Sequence, residues 1–169
     1  MKSNLFLTVI TMTLVSFTTD PTRKPVHAKA SLELATQLTN ALQSGSVDAY
    51  LLLIPSLADF NKVMEEHSAL YGNNLIAAKQ AFGRDYSAAF IPAVRNSFEG
   101  LIEEGKRRGI DWKKVSLVSW ETNDPIEQVL SPAVFVIAIE SQNKIHRIEI
   151  EKAFYWQGQW KASQFIKLV

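Results

Sequence analysis

The chain of 169 residues contains no cysteine. That absence excludes a disulfide framework, a thiolate zinc site, a cysteine nucleophile and a lipid-carrying N-terminal cysteine. Glycine is sparse too. The seven glycines are scattered, so no phosphate-cradling loop is formed, and no Gly-x-Ser-x-Gly elbow occurs. The three histidines form no HxxxH pair, and no carboxylate-rich loop accompanies them, so neither a metal site nor a cofactor is expected. Charge of one sign is also lacking, with 18 Lys and Arg against 17 Asp and Glu. Such a balance offers no electrostatic reason to expect nucleic acid as a partner.

Long apolar runs are scarce as well. The most extended uncharged one, residues 5–17, follows Lys2. At about a dozen residues it suits the apolar region of a secretory signal and falls short of the ~20 that cross a bilayer. Thr8, Thr11, Thr13 and Ser16 leave it no polar face at helical spacing, which argues against a buried N-terminal helix. The expectation is therefore an exported protein, periplasmic or secreted, with no integral membrane span and no lipid anchor. Residues 1–30 read as signal peptide and unstructured leader, and residues 31–169 as one domain. Ala28-Lys29-Ala30 has the small-x-small form of a cleavage site, while a cut near Thr18 or Thr19 better suits the distance from the apolar run. Loss of residues 1–30 removes Lys2, Arg23, Lys24, Lys29 and Asp20, taking the formal charge from +1 to −2.

What is present reads as globular: 47% hydrophobic and 21% charged residues, enough for one well-cored domain. Ser31 is a candidate N-cap for a helix carrying Leu34, Leu38, Ala41 and Leu42, stopped by Gly45. Ser46 caps a short second helix that Pro55 ends. Ser56, with Asp59 in the first turn, restarts the pattern as a stripe of Leu57, Phe60, Met64, His67 and Tyr71. Asn73 or Asn74 opens the longest helix, in which Pro92 predicts a kink or break.

After Asp111 the period changes from helical to alternating. Residues 112–121 read as a first strand. Residues 133–139 form an apolar, β-branched run covered on both faces, and residues 145–156 a third strand with Ile148, Ile150, Phe154 and Trp156 on one face. Gln157-Gly158 is a hairpin turn into a last strand over residues 160–169. The fold class is α+β, with N-terminal helices packed on one face of a curved, four-stranded antiparallel sheet. Phe82, Phe98, Phe135, Ile137 and Trp160 are candidate core residues.

Two segments carry a resemblance. Residues 41–55, with Gly45, Asp48-Ala49, Leu51 to Leu53 and Pro55, resemble the opening of proteins of the nuclear transport factor 2-like, or cystatin-like, fold. Gly158-Gln159-Trp160-Lys161 resembles the final hairpin of that superfamily. The general layout also resembles uncharacterised exported proteins of Bacteroidota-type bacteria. The resemblance implies a cone-shaped sheet, and a fold that hosts isomerases, dehydratases and pure binding modules alike. One departure is plain: the superfamily places a strand between its second and third helices, where residues 56–108 here read as helix.

His67 is the candidate general base, because an imidazole titrates near neutrality, and Asp59, Asp85 and Tyr86 are its candidate partners. The plainer reading is a core histidine. Tyr71, Trp120 and Trp156 are candidate pocket-lining residues, although aromatic packing explains tryptophans on strands equally well. Lys106, Arg107, Arg108, Lys113 and Lys114 read as a solvated helix end offset by Glu99, Glu103 and Glu104. The favoured function is a non-enzymatic binding or accessory domain of the cell envelope, its partner a small molecule or an envelope protein. The alternatives are an isomerase- or dehydratase-type enzyme using His67, and a structural envelope protein that dimerises through its sheet, where Val134, Val136 and Ala138 form a second apolar set.

Overall fold

The computed structural model describes residues 23–123, 132–162 and 165–169. The apolar run at residues 5–17 lies outside them. The element order is α1 (Arg23–Ser44), α2 (Val47–Leu51), α3 (Leu57–Glu66), α4 (Leu75–Asp85), α5 (Ile91–Arg107), then β1 (Ser116–Thr122), β2 (Ala133–Ser141), β3 (Lys144–Trp156), β4 (Gln159–Ala162) and β5 (Ile166–Leu168). The architecture is α+β, helices first, then a curled antiparallel half-barrel sheet.

Helix α1 starts at Arg23, ahead of the expected cap at Ser31, which instead lies buried within it. Ala28, Lys29 and Ala30 are good helix formers, and Ala30 reaches the core, so the helix continues back through them. The helix ends where expected. Gly45, at φ +61°, and Ser46 donate back to the carbonyls of Leu42 and Ala41 at 3.1 and 3.2 Å. The left-handed residue that such a cap needs is a glycine for steric reasons. Ser46 then caps α2, accepting from the Ala49 N–H at 3.1 Å.

Sheet order is β1-β2-β3-β4, with β5 on the same edge of β3 as β4. The expected single last strand is thus two short ones sharing a neighbour: β4 pairs with Ala153 to Trp156 and β5 with Ile148 to Ile150. The first strand is also shorter than expected. Trp112 lies in a 3-10 turn (Trp112–Lys114), not on a strand.

A bulge in β3 resets the pleat. Phe135 pairs with Ile150 but Ala133 with Ala153, so three residues of β3 oppose two of β2. Before the bulge Ile148 and Ile150 face the helices; after it Ala153 and Tyr155 do. Phe154 and Trp156 therefore point to the opposite face from Ile148, contrary to the alternation read from the sequence. The buried set on the helix side is Phe135, Ile137, Ile139, Ile148, Ile150, Ala153, Trp160 and Ala162. It meets Leu34, Leu38 and Leu42 of α1, Tyr50 of α2, and Val94, Phe98 and Leu101 of α5, with Tyr50 stacked on Phe98 at 4.9 Å. Phe82 is only half-buried and belongs to a separate cluster.

On the outer face, Val136 pairs with Glu121 and Glu149, and Ala138 with Ser119 and Arg147. An ion pair joins Arg147 on β3 to Glu121 on β1. It passes over β2, and the stem of Arg147 covers small outward residues such as Ala138. Lys167 of β5 bridges Glu149 and Glu151 at 3.0 and 2.9 Å. The basic end of α5 is similarly matched: Lys106 pairs with Glu103, Arg107 and Arg108 with Glu104, and Lys114 with Asp111. The Arg108 hydrogen bond, ahead of other contributions, holds the Glu104 carboxyl below its usual range.

The passage from α5 to β1 is pinned at several points. Gly109 and Ile110 donate to the carbonyls of Lys106 and Gly105, closing α5. Trp112 folds back on the helix, its indole N–H donating to the Ile102 carbonyl at 2.9 Å. The Asp111 N–H donates to Ser141 Oγ at 3.0 Å, and Gln43 Nε2 to the Val115 carbonyl at 2.8 Å. Trp112 lies so close to α5 that a Cβ at Gly105 would sit 2.9 Å from its Nε1 and nearer still to two ring carbons. Gly100 on the same helix has nothing within 4 Å of that position. The two glycines should therefore respond oppositely to alanine. Gly100→Ala should raise stability by about 0.5–1 kcal/mol, the helix-propensity gain. Gly105→Ala should lower it by about 1–3 kcal/mol through overpacking. Urea titration of both variants measures the pair.

Candidate functional site

Between Pro55 and Val94 no residue is fully part of the main core, which passes from Ile54 to Val94, with Phe90 packed against its border. The intervening chain forms a hairpin of α3 and α4. Its start is fixed locally: Ser56 Oγ accepts from the Asp59 N–H at 3.1 Å, and the Asp59 carboxylate accepts from the Ser56 N–H at 2.8 Å. Helix α3 ends at Glu66, with His67 as its C-cap at φ −108°, ψ 30°. Two 3-10 turns, Ser68–Leu70 and Gly72–Asn74, lead into α4. An ion pair between Glu65 and Lys79 ties the two helices.

The hairpin has a small aromatic centre of its own. Phe60 lies 4.9 Å from Phe82, 6.1 Å from Tyr86 and 6.0 Å from Phe90. Tyr86 stacks on Phe90 at 5.3 Å, and its hydroxyl donates to the Pro55 carbonyl at 2.9 Å, fastening one side of the hairpin base to the other. Burial first, and then the Asp59 charge, push the Tyr86 hydroxyl above the usual tyrosine value.

Pro92 acts as its chemistry requires. A π-helical turn, Tyr86–Phe90, separates α4 from α5, with the Ile91 N–H bonded to the carbonyl of Tyr86, five residues back. Pro92 then sits in the first turn of α5. The wider turn occurs where a proline ring would otherwise displace the carbonyl of Ala88.

The candidate acid–base residues are thus distributed along the hairpin. His67 is a half-buried cap, Asp85 is exposed at the end of α4, and Tyr86 is engaged with Pro55. Asp59 is occupied by its capping box. Among the described residues, no hydrogen bond or ion pair joins His67 to any of them. His67 does not extend the Phe60-Met64 stripe into the core, because the helix ends beneath it. His146, on β3, pairs with Ile139 and is half-buried on the helix side.

The proposed lining residues are also apart. Tyr71 is in the turn between α3 and α4. Trp120 pairs with Ile137 on the helix side of edge strand β1, 37% exposed. Trp156 faces the other side of the sheet, opposite Gln159. Two tryptophans on opposite faces do not line one cavity. No group of three or more His, Asp or Glu side chains lies together as a metal site among the described residues.

What the sequence reading passed over is the hairpin tip. Leu70 and Ile76 are 59% and 72% exposed. The available signal was a charge gap, since residues 68–78 contain no Asp, Glu, Lys or Arg.

Tyr50, buried, and Tyr86, half-buried, predict a fold that weakens in alkali. Burial drives the Tyr50 hydroxyl far above its ordinary value, and Tyr86 is raised as described. Unfolded tyrosines ionise near pH 10 while these two resist, so their contribution is fully present below about pH 10 and is lost as pH rises through the folded values. Urea midpoints should therefore fall above pH 10. Tyr86→Phe should flatten part of that fall and cost about 1 kcal/mol at neutral pH, the worth of one hydrogen bond. An unchanged pH profile in that variant would assign the alkaline sensitivity elsewhere.

No protein-family model, curated protein or solved structure matches the chain.

Proposed function

We propose that the chain is an exported, non-enzymatic binding or accessory domain of the cell envelope, built as a cystatin-like cone. The observation that carries this reading is the filled concave side of the sheet. Leu34, Leu38, Leu42, Tyr50, Phe98, Phe135, Ile137 and Ile150 are all essentially inaccessible there. In the enzymes of the fold that resemblance suggests, the same region holds the reacting groups. Here the candidate acid–base residues Asp59, His67, Asp85 and Tyr86 lie outside it on the α3–α4 hairpin, with Asp59 held in a capping box and Tyr86 in a latch to Pro55. General acid–base chemistry needs donor and acceptor within reach of one reacting atom.

Export rests on Lys2 and the apolar run at residues 5–17. Homodimerisation through the sheet is the weaker second reading. It draws on half-buried Val134 and Val136, but the Arg147–Glu121 bridge already covers part of that face within one chain.

Two measurements test the proposal. Intact-mass analysis of protein from the host envelope should find residues up to at least Thr18 removed; a main species retaining Met1 would refute export. In a host lacking the gene, stably folded His67→Gln and Asp85→Asn variants should restore the wild-type phenotype in full. Failure of a well-folded His67→Gln protein would promote the His67-based enzyme.

A further inference from the structure

In residues 56–93 only Met64 is buried, whereas the main core is built from residues on either side of them. Contacts within the stretch shape it. Ser56 and Asp59 cap each other, Glu65 pairs with Lys79, and Phe60 meets Phe82 and Tyr86. The two joins to the body are narrow. At the first, Pro55 has no N–H to give, and the Ser56 N–H is spent on Asp59 inside the hairpin. At the second, the π-helical turn Tyr86–Phe90 interrupts the α-helical ladder between α4 and α5. The Tyr86 hydroxyl crosses from the second join to the first, donating to the Pro55 carbonyl at 2.9 Å.

We propose that the α3–α4 hairpin is a latched order–disorder arm. It opens as one unit, from the Pro55–Ser56 step to the π-helical turn, while α1, α2, α5 and the sheet stay folded. The Tyr86 hydroxyl on the Pro55 carbonyl is the latch.

Two physical arguments carry this. A segment is held to its body by the apolar surface buried between them and by the bonds that span the join. Here Phe90 supplies the apolar link, packed on the border of the core, and Tyr86 the polar one. The body has a deep centre that needs no hairpin residue: Leu38, Tyr50, Phe98, Phe135 and Ile137 are inaccessible. Opening the hairpin is therefore far less costly than unfolding the body. Once released, helices of 10 and 11 residues are too short to persist alone in water. Release and melting coincide, which makes the opening a single step of the kind that orders and disorders switch segments.

The two parts carry separate reporters. Trp112, Trp120, Trp156 and Trp160, the four tryptophans, all lie outside residues 56–93, so their emission follows the body alone. Hydrogen–deuterium exchange follows the hairpin. At low urea, amides of α3 and α4 should share one urea-dependent opening and be at least about tenfold less protected than those of β2 and β3. Tyr86→Phe should speed hairpin exchange about fivefold, the equilibrium equivalent of one hydrogen bond. Phe60→Ser/Met64→Ser should abolish hairpin protection altogether. In that variant β2 and β3 should remain protected, and tryptophan emission should keep its folded maximum.

The proposal is overturned if α3 and α4 show the protection and urea dependence of the sheet, or if the two helices open separately. It is equally overturned if Phe60→Ser/Met64→Ser moves the tryptophan emission to that of the urea-unfolded protein, since the body would then need the hairpin. Unchanged hairpin exchange in a folded Tyr86→Phe protein would overturn the latch.

Discussion

The inside of this protein is set by one extra residue in β3. The bulge between Ile150 and Ala153 changes which residues face the helices, from even-numbered to odd-numbered positions. Without it Phe154 and Trp156 would be driven into the space that Ala153 and Tyr155 occupy, and Ala153 would no longer stand beside Ala162. Small residues at that corner let β4 approach the loop after α2, where the Ala162 N–H donates to the Leu53 carbonyl at 2.8 Å. Bulges also sharpen strand bending, so the same residue that resets the pleat helps the sheet curl around α1 and α5.

The chain divides its labour accordingly. The sheet, α1, α2 and α5 make the main core, where Leu38, Tyr50, Phe98, Phe135 and Ile137 are inaccessible. The α3–α4 hairpin stands apart with only Met64 fully buried among its α-helical residues. It is held at its base by the Tyr86 hydroxyl on Pro55 and by a π-helical turn into α5. A thin core and a loosely tied base are the properties of a low-stability unit, the kind from which contact surfaces are commonly drawn. This asymmetry separates a well-packed body from a thinly packed hairpin.

Most of the fold was legible because its punctuation is local. Ser46, Ser56 and Asp59 cap helices by bonds spanning three residues, Gly45 ends one by its own φ, and Gln157-Gly158 turns a hairpin at positive φ. What failed was non-local. Trp112 has the composition of a strand residue, and only the cleared surface of Gly105, seven positions earlier, explains why it folds back. The β3 parity shift was hinted at by two consecutive polar residues, Glu151 and Lys152, but a bulge is fixed by its partner strand. The start of α1 was misplaced because a good N-cap does not prevent helix formers upstream from joining a helix that has a core to meet. The site was the least legible part. His67 keeps the spacing of an apolar stripe, yet that spacing stops having meaning where the helix ends. The exposed tip is visible only as an absence of charge, which is a weak signal until exposure is known.

The placement of β5 bears on when this chain can become a protein at all. Ser97 Oγ exchanges hydrogen bonds with the backbone of Ile166, sixty-nine residues later, and Gln43 reaches Val115 across seventy-two. The apolar stripe of α1 has its partners in strands far along the chain, and β5 is only residues 166–168. Pairings this distant form slowly, because the intervening loop must close before they return any stability. A chain of this topology cannot complete its core until residues 166–168 are free to pair, so α1 must wait for partners far along the chain.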